Sequence, residues 1–297
     1  MSRRGSLRLR SGWVGCVAFL FLCGPAAAQD NSLEIIPDIV YGHKDGMALT
    51  FDVIRPAEAN GAAVLFLQSG GWYSPWNEPK NLVAPSRPLL DKGFTVLIVR
   101  HGSAPKYTVP EAIADVRRCV RFVRAKAADL KVDAARLGVL GGSAGGHLSL
   151  MLATTGDDGD PRHADPILRQ SSRVAAVVAL YPPTDLRGWV KNPPEEIAKV
   201  PALKPPLSFD EKLEPDCSPL LHVSKDDAAI LMIHGDKDLL VPISHSQTMQ
   251  AALEKAEVKS KFVTIEGAAH GFNAAQNREQ VLPAMVGWFE EHLNAGK

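Results

Sequence analysis

The stretch "GVLGGSAGGHLSLM", residues 138–151, places one serine between two pairs of glycines. The residues before it, 136–140, form a short apolar run that is typical of a buried strand, and the residues after Ser143 have helical periodicity. Glycine is entropically costly inside regular elements, so glycines on both sides of Ser143 indicate a backbone that other residues cannot adopt. The stretch therefore predicts a sharp strand-to-helix turn with Ser143 at its apex.

The rest of the chain repeats this alternation of strand and helix. After a hairpin at 40–54 with its turn at 44–46, continuous apolar runs occupy 63–67, 94–99, 136–140, 174–181, 229–234 and 261–265. Helical periodicity fills the intervals at 110–128, 143–155, 244–257 and 278–293. Runs that are apolar throughout are typical of parallel strands, which are buried on both faces. We therefore predict an α/β fold in which helices cover both faces of a mostly parallel central sheet.

The sequence predicts an N-terminal leader followed by one large domain. Four arginines precede an apolar run at 13–23, and three alanines follow at 26–28. This order is typical of a cleaved secretory signal peptide over 1–28, too short for a stable membrane anchor. We expect a periplasmic or secreted protein, exported by either the Sec or the Tat route. Residues 29–297 then form a single domain, with the proline-rich stretch 184–219 as a cap-like insertion over one edge of the sheet.

Composition and charge exclude several classes of partner. Removing residues 1–28 takes away four arginines and no acidic residue, which leaves 29 basic and 33 acidic side chains. This mild balance predicts neither nucleic acid nor an anionic membrane as a partner. The remaining cysteines, Cys119 and Cys217, are far apart in sequence, and we expect separate thiols although a disulfide is chemically possible. There is no CxxC motif and no metal-ligand spacing, so no metal or cofactor is implied.

The glycine-flanked serine fits the G-x-S-x-G nucleophile elbow, although a helix-capping serine in a bland turn fits the short motif equally well. A serine hydroxyl is a weak nucleophile unless a base accepts its proton. Candidate partners follow later strands in the order acid, then histidine: Asp236 and Asp238 after 229–234, and His270 after 261–265. Each of these candidates alone is most simply a solvent-exposed loop residue. Their order along the chain, serine, then acid, then histidine, predicts a serine hydrolase.

Five stretches carry a resemblance to a known family. They are "SGGW" (69–72), residues 109–127, residues 138–151, "HGDKDLLVP" (234–242, continuing to 253) and "EGAAHGF" (266–272). Across nearly all of the mature chain the sequence resembles α/β-hydrolase fold esterases of the acetyl esterase and lipase type, related to hormone-sensitive lipase. It shares features with prolyl-oligopeptidase-like serine peptidases. The resemblance implies a catalytic triad of Ser143, Asp238 and His270. We expect Asp236 to be a turn former, since aspartate readily bonds its own backbone in such loops.

The resemblance also implies an oxyanion hole. One N–H comes from Ala144, and the family takes others from an H-G-G-G loop, which here reads "QSGGW". Gln68 and Ser69 replace the histidine and the first glycine, while Gly70 and Gly71 match the donors. A second departure is "VRHGSAP" at 99–105, where these esterases have a tyrosine-arginine-leucine stretch.

Several other polar and aromatic residues fall near the predicted sheet edge. We expect three histidines to be packed or hydrogen-bonded rather than metal ligands, since no ligand cluster accompanies them: His101, His147 and His234. Asp115 matches a position that the family uses structurally. Three tryptophans are candidate pocket walls, although packing is their commoner role: Trp72, Trp76 and Trp189.

The expected function is hydrolysis of a carboxylic ester of a small molecule or carbohydrate, without a cofactor. The prolines of 184–219 exclude a long lid helix and its charges break any apolar face, so we expect short acyl groups, with Trp189, Ile197 and Leu203 available to line a small pocket. Two alternatives stay open, a serine exopeptidase of the prolyl-oligopeptidase-like type and a catalytically silent binding module on this fold. The natural ester and the oligomeric state are not specified by the sequence.

Overall fold

An eight-stranded sheet organises residues 33–294, the part of the chain that the computed structural model describes. The strands are β1 Leu33–Lys44, β2 Met47–Pro56, β3 Ala63–Leu67, β4 Thr95–Val99, β5 Leu137–Gly142, β6 Ala176–Leu180, β7 Ala229–Gly235 and β8 Ser260–Ile265. The helices are α1 Val83–Leu90, α2 Val109–Ala125, α3 Ala144–Thr154, α4 Glu195–Ala198, α5 Ser244–Lys255, α6 Ala274–Gln276 and α7 Leu282–Leu293. The predicted signal peptide over 1–28 lies outside the described residues.

The sheet has the order β1-β2-β4-β3-β5-β6-β7-β8. The β1–β2 hairpin turns at Asp45-Gly46, and β2 also runs antiparallel to β4. All remaining neighbours are parallel, with Leu65 of β3 opposite Leu97 of β4 and Val139 of β5. The prediction of a mostly parallel sheet preceded by an antiparallel hairpin is confirmed. All the parallel strands after β3 point their carboxyl ends to one edge, where the candidate site lies.

Two apolar cores cover the two faces of this sheet, which confirms the predicted layering. Side chains such as Leu65 and Val139 face one core, together with buried residues of α2, α3 and α5. Side chains such as Val64 and Ile98 face the other core, together with residues of α1 and α7. Strands buried between two helical layers need apolar residues at successive positions, which is why β3 to β7 read as continuous apolar runs.

The structure differs from the predicted elements at two helices. The sequence analysis missed α1, whose stretch "VAPSRPLL" contains two prolines. Pro85 falls in the first turn, where backbone N–H groups have no intrahelical partner and the missing donor is tolerated, whereas Pro88 lies inside the helix and removes one intrahelical hydrogen bond. The helix predicted over 278–293 is continuous only from Leu282, because a π-helical turn at Asn277–Val281 precedes it. Among residues 33–294 no helix is long and apolar enough to cross a bilayer.

The segment 184–219, hereafter the cap segment, contains one helical turn and several short 3-10 turns, so the prediction that it forms no long helix is confirmed. Its two ends meet, because the N–H of Leu220 donates to the carbonyl of Thr184 at 3.0 Å. The buried Glu214 carboxylate accepts from the N–H groups of Gly188 and Val190 at 2.7 and 2.8 Å. These bonds give an irregular segment a defined path without long helices.

Candidate active site

Ser143 occupies the sharp reversal between β5 and α3. Its backbone has φ 52° and ψ −120°, a left-handed conformation that is strained for any residue but glycine. A Cβ at Gly141 would overlap the backbone of Gly145, and a Cβ at Gly145 would lie 2.8 Å from the carbonyl oxygen of Leu67. The flanking glycines are therefore required by close backbone approach, and they allow the Ser143 side chain to stand at the carboxyl edge of the sheet.

A continuous hydrogen-bonded chain joins the three residues that the sequence singled out. The Ser143 hydroxyl lies 2.8 Å from Nε2 of His270, and Nδ1 of His270 lies 2.7 Å from Oδ2 of Asp238. His270 is supplied by the loop after β8 and Asp238 by the loop after β7. Since Nδ1 faces a carboxylate, it carries the proton, and Nε2 is left with a lone pair directed at the serine hydroxyl.

The Asp238 carboxylate is fully buried and saturated with donors. Oδ1 accepts from the N–H groups of Leu240 and Val241, at 3.0 and 2.9 Å. Burial alone raises the pKa of Asp238, but hydrogen bonds from His234 and His270 and from the backbone outweigh it and hold the pKa well below its ordinary value. Asp238 is therefore ionised throughout the pH range in which histidines titrate.

His234, near the end of β7, contacts the same carboxylate oxygen as His270. Its Nε2 lies 3.2 Å from Oδ2 of Asp238 and 2.9 Å from the carbonyl oxygen of Val241, and its Nδ1 lies 2.8 Å from the hydroxyl of Ser246. The expectation of a packed, hydrogen-bonded histidine is confirmed, but its contact with the acid was missed. The only signal in the sequence was the closeness of the two residues in "HGDKD", because the contact is made by the turn after β7 and not by a helix.

Asp236 lies in the turn that follows β7, as expected of a turn former. Its carboxylate also accepts from the N–H of Gly267 at 2.7 Å, which connects the β7 and β8 loops. Asp236 therefore also fixes the start of the loop that carries His270.

The structure contradicts the assignment of Gly70 as an oxyanion donor. Its N–H donates to the carbonyl of Tyr73 at 2.9 Å, and the N–H of Tyr73 returns to Gly70 at 3.0 Å. Gly71 and Trp72 lie inside this turn with φ 57° and 59°, as in a type I′ turn. Within residues 33–294 the Gly71 N–H has no backbone acceptor, and Ala144 begins α3, where N–H groups lack intrahelical partners. Gly71 and Ala144 are the donors left free.

The buried His147 fixes one side of this turn. The indole N–H of Trp72 donates to Nδ1 of His147 at 3.3 Å, and Nε2 of His147 donates to the carbonyl of Cys217 in the cap segment at 2.7 Å. Burial lowers the pKa of His147 to about 4, so the ring is neutral at physiological pH. His147 therefore connects the turn, helix α3 and the cap segment, which confirms its expected structural role.

The cap segment closes over the turn through Leu203. A Cβ at Gly71 would overlap Leu203, so this leucine lies directly on the turn. On the other side the ring of Tyr181 packs on His270, with centroids 4.8 Å apart. Trp189 packs on His245 in the core and Ile197 is buried there too, so neither is a free pocket wall, and Trp76 is 58% exposed.

The remaining polar groups that the sequence singled out are structural. Asp115 accepts from the ammonium of Lys44 at 3.0 Å and from the N–H of Gly102 at 2.9 Å, as expected of a structural residue. Cys119 and Cys217 are both free and buried, which confirms separate thiols. In the described part of the chain no group of three or more histidine, cysteine, aspartate or glutamate side chains could hold a metal ion.

This fold, with a hydrogen-bonded serine, histidine and aspartate at the carboxyl edge of its sheet, defines a serine hydrolase of the α/β-hydrolase fold. The BD-FAE family matches residues 51–253, more than half of the chain, and the chain belongs to this family. The match includes Ser143 and Asp238 and ends before His270.

The individual relatives described next are at most 29% identical in sequence to this chain. The chain is 29% identical to the probable carboxylic ester hydrolase LipM of Mycobacterium tuberculosis over 216 residues, which cover 71% of this chain and 49% of LipM. It is 26% identical to the ethyl acetate hydrolase of Pseudomonas putida, with 90% and 86% of the two chains covered. A truncated carbohydrate esterase from gut microbiota superposes with a TM-score of 0.73 at 25% identity, covering 90% of this chain and 99% of that one. The chain thus spans about half the length of LipM.

Proposed function

We propose that this protein hydrolyses carboxylic esters through an acyl-enzyme on Ser143. The observation that carries the proposal is the chain of hydrogen bonds from Ser143 through His270 to Asp238, at 2.8 and 2.7 Å, beginning at a strained elbow. Such an arrangement supplies a nucleophile, a base placed to accept its proton, and an anion that stabilises the protonated base.

In the first half of the reaction the Ser143 oxygen attacks the acyl carbon while its proton passes to Nε2 of His270. The carbonyl oxygen becomes an oxyanion, for which the free N–H groups of Gly71 and Ala144 are the available donors. The start of α3 adds the positive end of a helix dipole. Collapse of the tetrahedral intermediate breaks the ester C–O bond, and the leaving alcohol takes the proton from His270.

In the second half water replaces the alcohol. It gives a proton to His270 as it attacks the acyl carbon, and the second intermediate collapses to the free acid while the proton returns to the Ser143 oxygen. Asp238 stays ionised throughout and stabilises the imidazolium form of His270 in both halves. Protonation of His270 would remove the base, so both halves of the reaction require its neutral imidazole.

We further propose short-acyl esters, including acetyl esters of carbohydrates, as substrates. Leu203 lies directly on Gly71 and so limits the space beside the proposed oxyanion hole. Relatives named as an ethyl acetate hydrolase and a carbohydrate esterase support the same class. A screen of nitrophenyl esters alongside acetylated xylose and xylan oligosaccharides separates small-molecule from carbohydrate preference.

The decisive experiment is labelling with a fluorophosphonate probe, which phosphonylates an activated serine and releases fluoride. We expect one label, on Ser143 by peptide mass spectrometry, and parallel loss of nitrophenyl acetate hydrolysis. Ser143→Ala abolishes both, with a loss of activity of about 10⁴-fold or more. Ser172→Ala is the matched control, because this buried serine precedes β6 at the opposite edge of the sheet. Hydrolysis that persists in Ser143→Ala contradicts the proposal, as does labelling at another residue.

The proposed location is the periplasm or the extracellular medium, following the leader sequence at 1–28. Expression of the full chain followed by N-terminal sequencing tests it. A mature protein beginning at Gln29 supports export, whereas a cell-associated protein that retains Met1 or begins at Ser2 contradicts it.

A further inference from the structure

Ser69 and His101 lie at the two places where the sequence departs from the esterase pattern, and the structure joins them. Ser69 follows β3 and His101 follows β4, which are neighbouring parallel strands. Nε2 of His101 lies 2.8 Å from the hydroxyl oxygen of Ser69. We infer that His101 is a positioning residue that acts through Ser69 to hold the turn at residues 70–73, an inference that rests on the proposed function of that turn.

The direction of the hydrogen bond follows from the surroundings of the ring. Nδ1 of His101 lies 2.8 Å from the carbonyl oxygen of Gly102, which can only accept, so Nδ1 carries the proton. His101 is buried, and burial lowers its pKa to about 4, so the ring is neutral at physiological pH. Nε2 is then an acceptor, and the Ser69 hydroxyl must donate to it. The hydroxyl proton points at His101 and is not free to bind an oxyanion.

Ser69 is held by its main chain as well as by its side chain. Its carbonyl oxygen accepts from the N–H of Gly145 at 3.2 Å, in the first turn of α3. The two proposed oxyanion donors, Gly71 and Ala144, belong to the two segments that this bond connects. Ser69 therefore fixes the spacing between them, and the bond to His101 fixes Ser69.

His101 is itself rigidly supported. The peptide that its ring contacts is fixed on the other side, because the N–H of Gly102 donates to Asp115 at 2.9 Å. The N–H of His101 donates to the hydroxyl of Ser74 at 3.2 Å, and that hydroxyl donates to the carbonyl of Gln68. His101 thus has two connections to the residues just before the turn, and the N–H of Ala104 in the same loop donates to the carbonyl of Trp72 within the turn at 3.3 Å.

Loss of the Ser69–His101 bond should affect the transition state more than the bound substrate. Removing an oxyanion donor outright costs about 10²- to 10³-fold in kcat, and displacing one costs part of that. For Ser69→Ala we expect kcat to fall about 10-fold, with KM changed less than twofold. The affinity for a trifluoromethyl ketone, which forms a tetrahedral adduct on Ser143, should weaken by the same factor as kcat/KM.

The experiment compares wild type, Ser69→Ala, His101→Gln and the double variant on nitrophenyl acetate. Ser172→Ala, which removes the same atom from a serine at the other sheet edge, is the control and should match wild type. The nitrophenol burst measures the fraction of active enzyme and corrects each rate for misfolded protein. Since both side chains act through one bond, the double variant should be no slower than the slower single variant.

The inference is overturned if Ser69→Ala keeps kcat within twofold of wild type, or if its ketone affinity is unchanged while kcat falls. A double variant whose losses multiply also overturns it, since the two residues then act separately. Failure of the proposed function is a distinct result, in which the wild-type protein neither hydrolyses the ester nor reacts with a fluorophosphonate.

Discussion

His234 and His270 both contact Oδ2 of Asp238, at 3.2 and 2.7 Å. Nε2 of His234 also faces the carbonyl of Val241, so this nitrogen carries a proton and donates to both oxygens. The carboxylate cannot rotate without losing bonds to two rings and two backbone N–H groups. His270 is thereby oriented by an acid that is itself fixed.

The two aspartates of "GDKD" should differ sharply when each is changed to asparagine. Asp238→Asn removes the anion opposite His270 and offers an amide that favours the wrong tautomer, so we expect kcat/KM to fall about 10³- to 10⁴-fold. Asp236→Asn keeps an oxygen that can accept from Gly267, and we expect a change below threefold. Steady-state hydrolysis of nitrophenyl acetate measures both; the reverse order would place the acid at Asp236, and equal losses would contradict the assignment of the acid to Asp238 alone.

Stability should fall on mild acidification because of three buried histidines. Burial lowers the pKa of His101, His147 and His245 from 6.5 to about 4. Between these values the unfolded chain binds protons that the folded protein does not, so the free energy of unfolding decreases as pH falls from 6.5 towards 4. Each group contributes about 1 kcal/mol per pH unit.

Urea denaturation at pH 6.5 and pH 5 measures this dependence. We expect a lower midpoint at pH 5, and a smaller difference between the two midpoints in His245→Gln, which removes one of the three groups. Identical midpoints at both pH values in the wild-type protein would show that these rings are protonated without cost in the folded state.

The preferred acyl chain should be short and should lengthen when Leu203 is truncated. We expect kcat/KM to be highest for acetyl to butyryl nitrophenyl esters, since a small pocket stops rewarding added methylenes, each worth about 0.8 kcal/mol when buried. Leu203→Ala should move the maximum towards longer chains by opening space beside Gly71. Leu213→Ala, in an exposed leucine of the same cap segment, is the control. A wild-type maximum at decanoyl or longer contradicts the expectation.

Two glycine substitutions should change the stability of the protein in opposite directions. In Gly145→Ala the new Cβ would lie 2.8 Å from the Leu67 carbonyl, and we expect lower stability by about 1–3 kcal/mol with loss of most activity. Gly287, in α7, is exposed and has no atom near a Cβ, so Gly287→Ala should raise stability by about 0.5–1 kcal/mol with activity unchanged. Thermal melting and ester hydrolysis measure the two effects. If Gly145→Ala changed neither stability nor activity, the turn at Ser143 would have space for an added Cβ.

Much of this fold can be predicted from the sequence because it depends on repeated apolar strands and on the order of residues along the chain. The parallel strands are apolar throughout, since helices cover both their faces, and their carboxyl ends share an edge. Residues that follow separate strands, such as Ser143 and His270, are therefore expected to be neighbours although 127 positions separate them. The contacts of Ser143, His270 and Asp238 follow from this rule.

Contacts between individual loop groups are not encoded in that way. Whether the N–H of Gly70 is free depends on the turn that brings Tyr73 back to it, and no periodicity specifies that turn. The pairing of Ser69 with His101 likewise depends on the paths of two loops after neighbouring strands. Helix α1 was also not predicted, since it is only eight residues long and contains both Pro85 and Pro88.

The bond between Leu220 and Thr184 means that the cap segment leaves and re-enters the body of the protein at almost one point. An insertion whose ends coincide can change in length or composition without altering the strands on either side, since its closure adds little constraint to the sheet. Exchange of this segment as a unit would have to keep its two contacts with the site, the Cys217 carbonyl that accepts from His147 and the Leu203 side chain on Gly71. A cap from a related esterase that keeps both contacts would transfer substrate preference without redesign of the hydrolytic machinery.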